Sequence, residues 1–560
     1  MTATDPNTDP EPVPESPTGG TPDFPVTFAD PTDAAHTWER DDMHMPFALT
    51  PLGADFIVHA IGAAFTPYYE AFGAPQRLHS AIWHGWAYFS FRPNVPEGEE
   101  EAFEARWVET LRGRIPLTQA YWNDEVLPEL ARIFDSIANV PIDELSGDDA
   151  ATAWIDAWAA TARTWVLHFV SIMGPYQVLE DLPDAYATAM GSGRDAEALE
   201  LIRGGRHELE EVDEGVEALT ALAAEAGLAD LLSAALASGE LTGELDLGEL
   251  RADPGANHFV DELERFLAQH GHLGQNHDDL EQASWAEAPR LLLGRILTHL
   301  RQPPQASRER RAAQARRADE LAAAARAALA DRPDELARFE MTLGHAREIG
   351  YLTEGHNYWI DRMSQARLRT LATRTGRRLV RDGVLAEPGD VFFLHRDEVA
   401  DALRDGADRT DLIEQRRAEH ARNKRLSPPY YVGKIPDKPS TGDRFDGPRV
   451  PSPAGNMLTG TGASAGIVRG PARVVLSQED FGRIQSGDVI VCPSSNPSWV
   501  PVFTIAGGLV TNTGGVLSHA AVVAREFGLP AVVGTTDATT RIADGRLVEI
   551  DGTAGTVRLL

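Results

Sequence analysis

From about Asp30 to Arg425, apolar positions recur at helical spacing. Over residues 101–111, Phe103, Trp107 and Leu111 fall four apart and share one face of a predicted helix. Residues 151–169 repeat the pattern with Trp154, Trp158, Trp165 and Phe169, and residues 308–330 spell a long Ala/Arg/Glu helix. Such stripes face a core more often than they line a cofactor site. Between residues 427 and 453 the periodicity stops, and Pro, Gly, Tyr, Asp and Lys take over, as in Pro428-Pro429-Tyr430-Tyr431. The prolines predict a semi-rigid hinge. Short apolar runs bounded by glycines follow, at residues 466–470, 472–476, 488–492, 508–510, 530–533, 546–550 and 556–560. With few helices between them, they predict a compact β/α unit. The expected organisation is multidomain: a disordered tail over 1–28, a large mostly α-helical domain over 29–426, a hinge linker over 427–453 and a small C-terminal β/α domain over 454–560.

A chain of 560 residues can build several well-buried cores without disulfides. The single cysteine, Cys492, lies in the apolar run 488–492 and reads as an inert thiol in a buried strand. No apolar stretch approaches the roughly 20 residues of a membrane-spanning helix. The N-terminus is acidic and proline-rich where a secretory leader would be basic and then apolar, so the expected location is the cytoplasm. The net charge of −34 argues against nucleic acid and against an anionic membrane as general partners. An anionic substrate such as ATP would need a locally basic site, and none is obvious; no metal site is expected either.

The most specific chemistry lies near the C-terminus, in Thr513-Gly514-Gly515-Val516-Leu517-Ser518-His519-Ala520-Ala521. Glycines allow a tight turn, Ser518 can cap the helix that follows, and Gly528 can stop it. His519 then sits where unpaired N–H groups and the positive end of the helix dipole favour an anion. Imidazole is a nucleophile that is substantially neutral near pH 7, so His519 can carry a phosphoryl group. Thr513 and Ser518 are the side chains best placed to meet the phosphate or fix the ring, with Gly514 and Gly515 supplying backbone. Arg525, six residues on, is a further phosphate candidate. The glycine cluster at residues 460–466 lacks both the spacing and the preceding strand of a dinucleotide loop, and reads as a lead-in turn.

These residues resemble the phosphohistidine signature of the swivelling domain shared by phosphoenolpyruvate synthase, pyruvate phosphate dikinase, rifampicin phosphotransferase and phenylphosphate synthase. Pro497-Ser498-Trp499-Val500-Pro501 and Pro530-Ala531-Val532-Val533-Gly534 extend the likeness. The helical part also resembles the central domain of the rifampicin phosphotransferase group, at Met45-Pro46-Phe47-Ala48-Leu49, at Gln269-His270-Gly271-His272-Leu273-Gly274, and at Asp390-Val391-Phe392-Phe393-Leu394. One departure is Leu273, where those enzymes commonly have an arginine.

The resemblance implies a dikinase-type phosphotransferase, in which His519 takes phosphate from ATP and the domain pivots to deliver it. It also implies an ATP-grasp domain of about 300 residues, which residues 1–37 are too short to hold, so a separate ATP-grasp subunit is expected to bind ATP and Mg2+. The implied acceptor is a small hydroxylated, phenolic molecule held by the helical domain. An alcohol or antibiotic hydroxyl is the alternative, and a phosphoryl relay without its own acceptor a third reading. His272, His84 and His356 are the candidate acceptor-site residues, within a stock of aromatics that includes Trp83, Trp86, Tyr88, Phe89, Tyr121, Trp122, His168, Tyr358 and Trp359.

Overall fold

Trp154, Trp158 and Trp165 all come to lie at 4% exposure or less along one 44-residue helix, Gly147–Met190, which Ser146 caps by accepting from the Asp149 amide. Around it a computed structural model describes residues 18–21, 23–41, 44–45, 47–204, 208–237, 247–274, 280–301, 307–426, 428–435, 455–476, 478–495, 499–503, 505–515 and 518–560. The predicted helices appear at Glu100–Arg114, where Leu111 is the buried residue, and at Ser307–Ala328. Helices Pro333–Ile349, Arg362–Arg381 and Arg396–Asp405 complete the packing against the long helix.

Strands also occur in this region. β1 (Thr18–Thr21) and β2 (Phe24–Thr27) form an antiparallel pair, while β3 (Thr37–Arg40), β4 (Gln76–Trp83), β5 (Trp86–Pro93) and β6 (Tyr431–Gly433) form a sheet in the order β4-β5-β3-β6. Two expectations change here. Residues 18–28 are not a disordered tail: Phe24, Val26 and Phe28 are at most 1% exposed against Trp38, Trp86 and Tyr88, an apolar content the tail's average composition concealed. Residues 431–433 of the expected linker pair with β3, Trp38 opposite Val432, so this part of the span is sheet edge. The remainder of the tail and residues 436–453 of the linker lie outside the described residues.

The C-terminal unit is an eight-stranded sheet built from β7 (Met457–Thr459), β8 (Thr461–Ser464), β9 (Ile467–Val474), β10 (Val489–Cys492), β11 (Gly508–Thr511), β12 (Ala531–Val533), β13 (Leu547–Asp551) and β14 (Thr556–Leu559). Its order is β7-β14-β13-β9-β10-β11-β12-β8, with β9 to β12 parallel and the outer pairings antiparallel. β10 and β11 are buried at every position, as parallel strands covered on both faces must be. The runs at 466–470 and 472–476 merge into the single strand β9. The expected lead-in turn at 460–466 is largely β8, where a Cβ on Gly462 would sit 2.6 Å from the Gly552 carbonyl oxygen. Glycine is there for close backbone approach. Cys492 is fully buried, and burial pushes its thiol pKa far up, as expected of an inert core thiol.

Candidate functional site

After β11 the chain turns through Asn512, Thr513, Gly514 and Gly515 towards the helix His519–Glu526. The turn is braced from both sides. The Thr513 amide and hydroxyl both donate to the Pro493 carbonyl at 3.1 Å, and the Thr511 hydroxyl donates to the Thr513 carbonyl at 2.6 Å. From the other side, the Thr535 amide and hydroxyl donate to the Thr511 carbonyl at 3.0 and 2.7 Å. Gly514 has φ +104°, and a Cβ there would lie 2.7 Å from Ser518 Oγ, so any other residue would be strained in backbone and crowded in space. Ser518 is extended (φ −64°, ψ 153°); its hydroxyl donates to the Gly515 carbonyl at 2.8 Å and accepts from the Ala521 amide at 3.4 Å. His519 is thus the first residue of a capped helix, where the dipole favours negative charge.

The supporting residues have divided roles. Gly514 and Ser518 shape and cap the turn as read from sequence, and Gly515 contributes its carbonyl to Ser518. Thr513 is 4% exposed with its hydroxyl on Pro493, which makes it a brace of the turn. Arg525 is 6% exposed and donates from Nη1 to the Ala463 carbonyl of β8 at 3.2 Å, tying the helix to the sheet edge. Six residues beyond His519, it is about 9 Å further along the helix.

The same helix meets the helical region. The Gln314 side-chain amide donates to the Arg525 carbonyl at 3.4 Å, and Val522 and Arg525 join Leu179, Arg203, Tyr351 and Glu354 around a cleft of about 100 Å³. Arg311 reaches Glu210, another wall residue, at 3.2 Å. Val522 lies one helical turn from His519, which brings the start of the helix near a space shared by both regions. The cleft combines residues from distant parts of the chain, and no sequence motif announces Tyr351, Glu354 or Glu210 as its lining.

The structure does not bring the three histidine candidates together. His84 is the first residue of the β4–β5 turn, with φ 52°, and its Nε2 lies 2.7 Å from the Pro25 carbonyl, so it pins the β2 strand. The neighbouring Trp83, Trp86 and Tyr88 pack in the core around β3. His272 stacks edge-on against Tyr358 at 4.6 Å; its Nε2 is buried and has no hydrogen-bond partner among the described residues. Burial pushes its imidazole pKa down to about 3. It borders a void of about 10 Å³, room for a water, with Ser284, Arg362 and Gln365.

His356 is 3% exposed, and its Nδ1–H donates to the Leu352 carbonyl at 2.5 Å. Burial, aided by nearby His168, holds its pKa down to about 4, so the ring is neutral near pH 7. Its Nε2 lies 3.8 Å from Asp361 Oδ2, while His168 Nδ1 donates to Asp361 Oδ1 at 2.7 Å. Asp361 was not a sequence candidate. It reaches this position because Asn357–Asp361 is a π-helical turn, and a local widening of the helix leaves no trace in apolar periodicity.

Among the described residues, no helix is long and apolar enough to cross a membrane. Residues 484–555, which contain the His519 turn, match the PEP-utilising enzyme mobile domain, and residues 170–354 match the fourth domain of rifampicin phosphotransferase. The chain is 29% identical to chondramide synthase cmdD of Chondromyces crocatus over 96% of its own length and 14% of that protein. It is 29% identical to the uncharacterized phosphotransferase YvkC of Bacillus subtilis, over 54% of this chain and 37% of the other. With a rifampicin phosphotransferase of Streptomyces sviceus it shares 33% identity, over 56% of this chain and 36% of that one. The chain thus spans well under half the length of each of these relatives. It carries a PEP-utilising enzyme mobile domain behind a helical region of the rifampicin phosphotransferase type.

Proposed function

We propose that this chain is the phosphohistidine-bearing component of an ATP-dependent phosphotransferase that phosphorylates a small, phenolic hydroxyl acceptor. The observation that supports it most is the braced glycine turn, which sets His519 at the first position of a capped helix whose next turn borders a cleft shared with the helical region. In this reading a separate ATP-grasp subunit, holding ATP and Mg2+, presents the nucleotide to His519. The imidazole nitrogen attacks the β-phosphorus, AMP leaves, and hydrolysis of the outer phosphate gives inorganic phosphate and phosphohistidine. The acceptor hydroxyl then attacks that phosphorus, loses its proton, and restores neutral His519. A carrier domain that visits donor and acceptor in turn lets the two sites remain apart.

The acceptor site is the cleft between Tyr351, Glu354 and Val522. At about 100 Å³ it is smaller than the ~300–1,000 Å³ typical of drug-sized ligand pockets, which favours a single-ring phenol. The likeness to rifampicin phosphotransferase favours a second reading, an antibiotic hydroxyl, which would need the carrier to undock and widen the cleft. Mixing the chain with an ATP-grasp partner and β-labelled ATP should place acid-labile, base-stable label on it, and His519→Ala should carry none. Label persisting on His519→Ala refutes the proposal. Chasing labelled wild type with phenol, and in parallel with rifampicin, distinguishes the two acceptors by which one receives the label.

A further inference from the structure

We infer that His168, His356 and Asp361 form a binding site for a divalent transition-metal cation of the Zn2+ class. The three side chains come from three elements, His168 from the long helix, His356 from the end of helix Leu352–His356 and Asp361 from the turn Asn357–Asp361 that leads to helix Arg362–Arg381. One potential ligand atom from each lies within 4.8 Å of the others, and all three residues are below 9% exposure.

Hydrogen bonding orients the donors. The Leu352 carbonyl can only accept, so the proton of the neutral His356 ring is on Nδ1, and Nε2 presents a lone pair. That lone pair faces an Asp361 carboxylate oxygen 3.8 Å away. Two acceptors face one another inside the protein, an arrangement that a cation between them turns from repulsive to attractive. His168 completes the set, its ring centroid 4.6 Å from that of His356. When its Nδ1 takes the metal, the proton now shared with Asp361 moves to Nε2, and charge balance needs no other group to gain or lose one.

The backbone supplies an independent indication. His356 and Asp361 are five positions apart, a spacing that in an α-helix turns side chains about 140° apart. The π-helical turn over Asn357–Asp361 places both beside His168 instead, and such turns concentrate at functional sites. Two imidazoles and a carboxylate suit Zn2+ and its neighbours better than Mg2+ or Ca2+, and three protein ligands leave a position for a small oxygen ligand. Glu354, two residues before His356, lines the interdomain cleft, so the ion would stiffen the cleft wall from behind.

Metal-free protein titrated with Zn2+ against a chromophoric chelator should bind stoichiometrically, and Co2+ in its place should give visible d–d bands of low-symmetry N/O coordination. His356→Gln and Asp361→Asn should weaken Zn2+ by at least the roughly 10- to 100-fold that loss of a mere supporting partner costs. His44→Ala, which removes an exposed histidine paired with Asp41 and outside the site, should leave it unchanged. Absence of binding, or affinity equal in wild type and both site variants, overturns the inference. Should the variants fold poorly, a wild-type Co2+ spectrum indistinguishable from the hydrated ion overturns it equally.

Discussion

In the C-terminal unit, the proposed carrier, β10 and β11 bury every side chain on both faces, and the enclosed hydroxyls of Thr511, Thr513 and Ser518 all donate to backbone carbonyls. The helical region encloses many more ionisable groups than the Asp488 and Arg525 of that unit, among them His168, His299, His356, Asp361, Arg362 and Asp390, each at most 7% exposed. All but one of the 17 histidines precede the carrier. The C-terminal unit thus keeps its buried charges few and partnered, Arg525 on the Ala463 carbonyl and Asp488 on Arg473. The helical region buries histidines whose charge state changes with acid.

The largest effect expected from this contrast is on chemistry. His519→Ala should abolish phosphoryl transfer while leaving the melting of both regions unchanged, measured by label incorporation beside calorimetry. Transfer that survives would move the reactive group into the helical region and break the comparison.

Next comes acid. Burial holds His272 near 3 and both His299 and His356 near 4, below the unfolded value of 6.5. The unfolded chain therefore binds more protons between those values. The stability these neutral rings contribute is complete above about pH 6.5 and is lost as pH falls towards 4, on the order of 3 kcal/mol for each. Hydrogen exchange read by mass spectrometry from pH 7 to 4 should show the helical region opening first. Simultaneous opening of the carrier sheet would contradict the assignment of pH sensitivity to one region.

Gly514→Ala should cost the carrier about 1–3 kcal/mol through strain at φ +104° and the clash with Ser518, visible as a lower denaturant midpoint for carrier peptides alone. Ser518→Ala removes a helix cap and should cost about 1 kcal/mol in the same assay. If either change destabilised the helical region as much as the carrier, the two would be one cooperative unit, and the boundary drawn between them would be wrong.

How far these features were legible depends on the range over which each is encoded. The tryptophan stripe of 154–165 and the glycine turn before His519 are local patterns, and both appear as read, because periodicity and turn chemistry act within a few residues. The strand at 24–27 was hidden by averaging, since two aromatics among prolines suffice once Trp38 and Trp86 cover them. Nearness in sequence to His519 makes Thr513 and Arg525 phosphate candidates, but it does not disclose their partners, Pro493 just after β10 and Ala463 in β8, which only the folded sheet brings in. The His168–Asp361 pair spans 193 positions and depends on a π-helical turn, so only the assembled backbone displays it.

The helix Gly147–Met190 is about 66 Å long, and its side chains take part in three separate apolar clusters: Trp154 to Trp165 in the first, Leu167 and Val178 to Tyr186 in the second, Ile172 and Met173 in the third. A rod threaded through several cores forbids piecemeal melting, because fraying any one of them exposes the apolar faces of the rest. Proteases should accordingly find the region either whole or gone, with no trimmed intermediate that ends inside the rod.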